Sequence, residues 1–139
     1  MQQSPELKDL IVQFFQAAVA GNTAFVDRAY SRQPGTLQIG TDPTEWWQGW
    51  ETITGIWRSQ MEALGGGMPV FAEEVQAWRE GDVGWVAVNG AIRVPEQSDT
   101  PLRFTAVLHR EDGTWKIVQG HGSIGVSNEE TTFGKLPEN

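Results

Sequence analysis

The hydrophobic period of this chain changes near residue 70, and that change constrains the fold more than any other feature. Before it, apolar residues recur at helical spacing, as at Leu7, Ile11 and Phe14. From Val70 onward, apolar and polar residues alternate with a period of two, which is the pattern of half-buried strands. Helices followed by an antiparallel meander predict an α+β domain, with the helices packed on one face of the sheet.

The helical half contains clear start and stop signals. Ser4 is a good N-cap, Pro5 suits the first helical position, and Gly21 predicts the end of the first helix. The pattern then predicts a helix over Thr23–Tyr30, a strand over Thr36–Ile39, and a helix over Thr44–Leu64 that Gly49 could interrupt.

The second half is predicted to form four strands joined by turns. The expected ranges are Val70–Arg79, Val83–Val94, Leu102–Arg110 and Trp115–Val126. A three-residue loop with Gly113 in the left-handed region would place Arg110 opposite Thr114 and Val107 opposite Ile117.

That register assigns residues to the two faces of the last strand pair. Phe104, Ala106, Leu108, Val118, Gly120 and Gly122 would face the helices, and Arg103, Thr105, Val107, His109, Trp115, Ile117, Gln119 and His121 would face outward. The outward set mixes aromatic, aliphatic and hydrogen-bonding groups, so it predicts a homodimer through the outer sheet face. A slip of one residue would exchange the faces.

Composition limits the function further. The chain has 139 residues, which suits one domain, here assigned to residues 1–126 with a polar tail at 127–139. A net charge of −8 without a Lys/Arg run makes nucleic acid an unfavourable partner. Neither a signal peptide nor a membrane-length apolar run is recognisable, so we expect no membrane partner and a cytoplasmic location.

Motifs for cofactors and metals are also missing from the sequence. There are no cysteines, and His109 and His121 are expected at opposite ends of neighbouring strands, where they could not share a metal. Gly65-Gly66-Gly67 lacks the lysine of a phosphate-binding loop. We therefore expect neither a metal nor a cofactor.

Asp42 is the single candidate for catalysis. It lies at an Asp-Pro-Thr break just before Trp46, in a chain whose seven tryptophans include four between residues 46 and 57. A cap or Asx turn is the ordinary role of aspartate at such a break. The alternative is a general base, because a wall of indoles would raise the carboxylate pKa toward working pH.

The order of elements resembles that of nuclear-transport-factor-2-like proteins. The stretch from His109 to Ser123, with Asp112-Gly113-Thr114-Trp115 at its centre, is similar to the ending of SnoaL-like proteins and of the calcium/calmodulin-dependent kinase association domain. Ala17-Ala18 before Gly21 is similar to the ketosteroid isomerase branch. The resemblance covers roughly Pro5 to Val126 and implies a cone-shaped domain whose N-terminal helices pack on the concave face of a strongly bent, antiparallel or mixed sheet.

The same resemblance implies which pocket groups are retained. Asp42 matches the catalytic base of the isomerase branch, whereas Phe14 replaces its oxyanion tyrosine and Ala106 stands at or beside its second acid. The pocket arginines of the kinase association domain fall on Ala106 and Gly122. Without side-chain donors at these positions, steroid-type isomerisation is not expected. The implied pocket is apolar, with a hydroxyl supplied near it by Tyr30, and its predicted wall is Phe14, Trp46, Trp50, Ile53, Met61, Ala106 and Gly122.

Three functions fit these observations. The first is a pocket protein for a small apolar or aromatic molecule, which as an enzyme would use Asp42 for proton transfer, cyclisation or dehydration. The second is a non-catalytic ligand-binding or accessory domain in which Asp42 only caps a helix. The third is an assembly module in which the sheet face matters and the pocket is vestigial.

Overall fold

The computed structural model describes residues 1–135. Its elements are β1 (Gln2–Gln3), α1 (Pro5–Ala20), α2 (Thr23–Ala29), β2 (Leu37–Ile39), β3 (Trp46–Gln48), α3 (Trp50–Ala63), β4 (Val70–Glu80), β5 (Val83–Ile92), β6 (Thr100–Glu111) and β7 (Thr114–Ile124).

The seven strands form one mixed sheet in the order β1-β4-β5-β6-β7-β2-β3. Among these strands of residues 1–135, β2 and β7 are the one parallel pair, and all other neighbouring strands are antiparallel. Helix α1 lies across the sheet, with its main contacts on β4 and β5. The predicted α+β fold class is confirmed.

Helix α1 forms as its capping signals predict. The Ser4 side chain accepts a hydrogen bond from the backbone N–H of Leu7 at 3.2 Å, and Gly21 ends the helix with a φ of 71°. Leu7 and Ile11 are fully buried. A Cβ at Gly84 of β5 would collide with Leu7 Cδ1, so this glycine allows the helix to approach the sheet closely.

The predicted helix over Thr44–Leu64 is wrong in its first third. Residues 46–48 instead form β3, which pairs with β2, and α3 begins only at Trp50. The break is at Gly49, whose φ of 88° lies outside the helical region. Because side chains alternate along a strand, Trp46 and Trp47 project to opposite faces rather than along one helical stripe.

The register predicted for the β6–β7 hairpin is also wrong. The loop has two residues, Asp112 (φ 51°) and Gly113 (φ 79°), so that Glu111 pairs with Thr114 and Arg110 with Trp115. Positive φ at both positions is the type I′ geometry that Asp-Gly favours.

A bulge farther along β7 shifts the register once more. Val107 pairs with Gln119 and Leu108 with Ile117, which leaves Val118 without a partner in the ladder. The bulge switches the alternation, so Trp115 and Ile117 join Gly120 and Gly122 on the inner face. Trp115 and Ile117 are 4% and 1% exposed, and the prediction that they face outward is corrected.

The chain after β7 adds two short 3₁₀ turns, at Asn128–Glu130 and Thr132–Lys135. The last four residues of the predicted tail, 136–139, lie outside the described residues. Within residues 1–135, no helix combines the length and apolar character needed to cross a membrane.

Candidate functional site

A largely apolar cavity of about 280 Å³ lies between the inner face of the sheet, helices α1 and α3, and the loop that leads into β3. This volume is close to the lower end of the range for small-molecule sites, about 300–1,000 Å³. The residues that line it are Phe14, Phe15, Gln38, Gly40, Thr41, Glu45, Trp47, Ile56, Trp57, Gln60, Met68, Val70, Ile92, Leu102, Phe104 and Gly122.

Aromatic rings in mutual contact build one wall of the cavity. The Phe14 ring meets Trp57 edge to face with centroids 5.4 Å apart and lies 6.2 Å from Phe104 in a stacked arrangement. Phe15 completes the wall, 5.6 Å from Phe104. Such edge-to-face and offset contacts are the favoured geometries of aromatic pairs, so the rings hold one another in place.

A chain of hydrogen bonds supports this wall from behind. Trp57 Nε1 donates to the Tyr30 hydroxyl at 3.0 Å, and that hydroxyl donates to Gln38 Oε1 at 2.7 Å. Gln38 Nε2 in turn donates to the carbonyl of Ile39 at 3.2 Å. Burial raises the pKa of Tyr30 far above its ordinary value, so the phenol stays protonated. The hydroxyl is engaged in this chain, and Tyr30 is not among the residues lining the cavity.

Two glycines on the inner face of β7 have different roles. A Cβ at Gly120 would collide with Gln38 Oε1, so that glycine makes room for the buried amide. A Cβ at Gly122 would meet only Thr41 Cγ2, at 3.9 Å, which is an ordinary contact. Gly122 therefore borders open space, as predicted, and its missing side chain contributes directly to the cavity.

The charged residue of the cavity is Glu45, which was not among the residues predicted from the sequence. Among the described lining residues it alone carries an ionisable side chain. Its Oε1 accepts from the backbone N–H of Asp42 at 2.8 Å, and its Oε2 lies 3.4 Å from Gln60 Nε2. The signal that could have identified it is the Asp-x-x-Glu spacing, which is typical of a reciprocal turn or capping interaction.

Asp42 lies outside the cavity lining, in a turn at the surface. Its Oδ1 accepts from the backbone N–H of Thr44 at 2.9 Å and from the Thr44 hydroxyl at 2.7 Å. These bonds lower the pKa of Asp42, whereas the indole wall was expected to raise it. The structure thus shows the Asx turn and not the environment that a general base requires.

Most of the other predicted wall residues lie elsewhere. Trp46 is 58% exposed, and Trp50 donates from Nε1 to the carbonyl of Asp27 at 2.8 Å while its ring stacks under Arg32. Strand β3 and the later start of α3 place Trp47 and Trp57 in the wall instead. The remaining three, Ile53, Met61 and Ala106, belong to the packed core and are at most 3% exposed.

Candidate metal ligands do not cluster in the part of the chain that the structure describes. In residues 1–135, no three side chains of His, Cys, Asp or Glu lie close enough together to hold an ion. His109 Nδ1 lies 3.7 Å from Glu111 Oε2, and that carboxylate also accepts from the Ser31 hydroxyl at 2.7 Å. The cavity offers apolar contact, aromatic faces, the side chains of Gln38, Thr41 and Gln60, and one carboxylate, that of Glu45.

The chain belongs to the SnoaL-like domain family, whose family model matches residues 7–127. This places it in the nuclear-transport-factor-2-like superfamily, as the resemblance of its elements implied. Among proteins with curated descriptions, none matches.

Solved structures agree on the fold. A nuclear-transport-factor-2-like protein of unknown function from Pseudomonas putida superimposes with a TM-score of 0.79 at 17% identity, over 90% of this chain and 88% of the other. A putative calcium/calmodulin-dependent protein kinase type II association domain from Thiobacillus denitrificans superimposes with a TM-score of 0.70 at 21% identity, over 88% of this chain and 96% of the other. An uncharacterised protein with a cystatin-like fold from Caulobacter vibrioides superimposes with a TM-score of 0.72 at 14% identity, over 89% of this chain and 90% of the other.

Proposed function

We propose that this chain binds a small apolar or aromatic molecule in the cavity beside Gly122. The observation that carries the proposal is a space of about 280 Å³ bordered by five aromatic side chains and by a glycine that leaves the space unfilled. Burial of each apolar group in such a site contributes roughly 1.5–3 kcal/mol, so a few groups are enough for micromolar binding.

Binding is favoured over catalysis because the candidate catalytic groups are engaged by the protein itself. The Glu45 carboxylate of the cavity accepts from the Asp42 N–H and the Gln60 amide. The Tyr30 hydroxyl is held by Gln38 and Trp57, and the Asp42 carboxylate is held by Thr44 at the surface. Phe14 and Ala106 provide no side-chain donor for a developing oxyanion. We therefore propose a ligand-binding domain and assign no reaction to it.

A fluorescence titration with N-phenyl-1-naphthylamine, a neutral apolar probe, tests this proposal. Gly122→Leu should fill the cavity and weaken probe binding at least tenfold, because the new side chain occupies the ligand volume. Gly55→Leu is the matched control, since Gly55 lies on α3 outside the cavity and a Cβ added there would meet nothing within 4 Å. Equal probe affinity in the wild type and in the folded Gly122→Leu variant would exclude this cavity as the binding site.

The homodimer through the outer sheet face also remains a proposal, with different anchor residues. Trp78, Trp85 and Val107 are neighbours on adjacent strands and lie on the face away from the helices. Both indoles are half-buried, and Val107 is 38% exposed. These three residues take the place of Trp115 and Ile117 as the apolar part of the proposed interface, because Trp115 and Ile117 are buried inside the domain. A second copy covering the row would remove its apolar surface from water.

A further inference from the structure

The carboxylate of Glu45 is held at the edge of a largely apolar space. The loop that carries it is closed by hydrogen bonds from the Gly40 N–H to the Glu45 carbonyl and from the Glu45 N–H to the Asp42 carbonyl, both at 2.9 Å. A Cβ at Gly40 would lie 2.7 Å from Glu45 Oε1. Glycine at position 40 thus allows the carboxylate to fold back over the chain beside the cavity.

The bonds that Glu45 forms leave its charge uncompensated. Its hydrogen-bond partners in residues 1–135 are the Asp42 N–H and the Gln60 amide, and both are neutral. The side chain is half-buried, and each carboxylate oxygen keeps a free lone pair beside the bond it accepts. A half-buried anion next to apolar walls gains most from a ligand that brings positive charge or a hydrogen-bond donor.

The rings that share the cavity favour the same kind of ligand. Phe14, Phe15, Trp47, Trp57 and Phe104 contribute aromatic surface to it. The face of an aromatic ring carries partial negative charge and attracts organic cations, with indole the strongest of the three ring types. In the described lining, carboxylate and rings attract positive charge and no basic side chain repels it.

Resting on the proposed ligand-binding function, we propose that the cavity selects organic cations: molecules with an aromatic or aliphatic body and an ammonium group that lies beside Glu45. The body is buried against Phe14, Phe104 and the neighbouring apolar wall. The ammonium group is placed between the Glu45 carboxylate and the indoles of Trp47 and Trp57. Anionic molecules of the same shape are excluded by the carboxylate.

Three probes of one shape and different charge test the selection. Benzyltrimethylammonium is the cation, neopentylbenzene is its neutral isostere, and benzylsulfonate is the anion, each titrated as a competitor of N-phenyl-1-naphthylamine. The wild type should bind the cation at least tenfold more tightly than the neutral isostere, a difference of about 1.4 kcal/mol, and should bind the anion most weakly.

Glu45→Gln should remove the preference while keeping the shape of the side chain. The affinity for benzyltrimethylammonium should fall about tenfold, and that for neopentylbenzene should stay within threefold of the wild type. Glu62→Gln removes the same charge from an exposed position on α3 outside the cavity and should change neither. It therefore controls for the general attraction of cations to a chain of net charge −8.

Each outcome separates the two proposals. Failure of the wild type to bind any of the four probes would overturn the ligand-binding function itself. Binding of the neutral probes without a preference for the cation would overturn only the charge selection. If the preference for the cation survives Glu45→Gln, or if Glu62→Gln removes it equally, the preference arises from the charge of the protein surface. Either result would overturn the selection by Glu45.

Discussion

The two ends of the β6–β7 ladder are built from the same strands but pack differently. Toward the hairpin, Leu108, Trp115 and Ile117 project inward and are at most 4% exposed, so this half is filled. Beyond the bulge, the inward positions of β7 are Gly120 and Gly122. Gln38 occupies the space over the first glycine, and the cavity occupies the space over the second. The missing side chain at Gly122 therefore contributes to the cavity in this half of the ladder.

The largest expected effect comes from truncating leucine in the two halves. Leu108→Ala, in the filled half, should lower the free energy of unfolding by about 2–5 kcal/mol, because the lost methyl groups leave a new void. Leu102→Ala should cost less, since Leu102 already borders the cavity. Denaturant unfolding of both variants measures the difference. A Leu102 variant that is destabilised as much as the Leu108 variant would show that the two halves are equally packed.

Removal of the Tyr30 hydroxyl should have the next largest effect. Tyr30→Phe leaves Gln38 Oε1 without its donor and Trp57 Nε1 without its acceptor, which should cost about 1–3 kcal/mol of unfolding free energy. Combined with Trp57→Phe, the losses should not add, because both changes break the same hydrogen-bonded unit. Strict additivity in this double-mutant cycle would mean that the hydrogen bonds do not support the cavity wall.

A charge introduced on the outer sheet face tests the proposed dimer. If Val107 lies in the proposed dimer interface, Val107→Glu should raise the dimer dissociation constant at least tenfold in sedimentation experiments, because two copies would then bury like charges. Val94→Glu is the control, since Val94 is similarly exposed (40%) but lies outside the sheet. Wild-type protein that sediments only as a monomer at micromolar concentration would contradict the proposed dimer.

Asp42→Asn should have the smallest effect. Asn keeps a side-chain oxygen that can accept from Thr44, so folding and probe binding at neutral pH should be nearly unchanged. Because the folded-state pKa of Asp42 is lowered, any advantage of the wild type should be present above the usual aspartate pKa and lost as the pH falls through the folded value. Unfolding curves from neutral to acidic pH measure it. A strong loss of probe binding in this variant would show that Asp42 takes part in ligand binding.

Local signals were sufficient for most of the fold. The capping pair Ser4-Pro5, the stop at Gly21 and the change of period near Val70 predict the helices and the meander, and the structure confirms these elements. The Asp112-Gly113 dipeptide also predicts the observed turn of the last hairpin, since this pair favours a two-residue type I′ turn.

Nonlocal contacts explain what the sequence could not predict. Trp46 and Trp47 lie on a strand because β2 pairs with them, and their helical spacing with Trp50 gives no sign of that partner. The two-residue turn pairs Ile117 with the buried Leu108 and so places Trp115 and Ile117 in the core, whereas the bulge at Val118, which has no local signature, places Gly120 and Gly122 on the same inner face. Beyond the bulge the alternation returns to the predicted one, so Gly122 was placed correctly in the cavity, whereas Trp46, which lies on β3 and not on a helix, was not.

A ligand-binding cavity is tested best by a crystal structure of the protein soaked with 2-bromonaphthalene, whose bromine can be located by anomalous scattering. We expect bromine density between the Phe14 and Trp57 rings and Gly122 in the wild type, and its loss in Gly122→Leu. Bromine found only on the outer sheet face, or an unliganded cavity in crystals with bromine bound elsewhere, would show that the cavity does not bind such molecules.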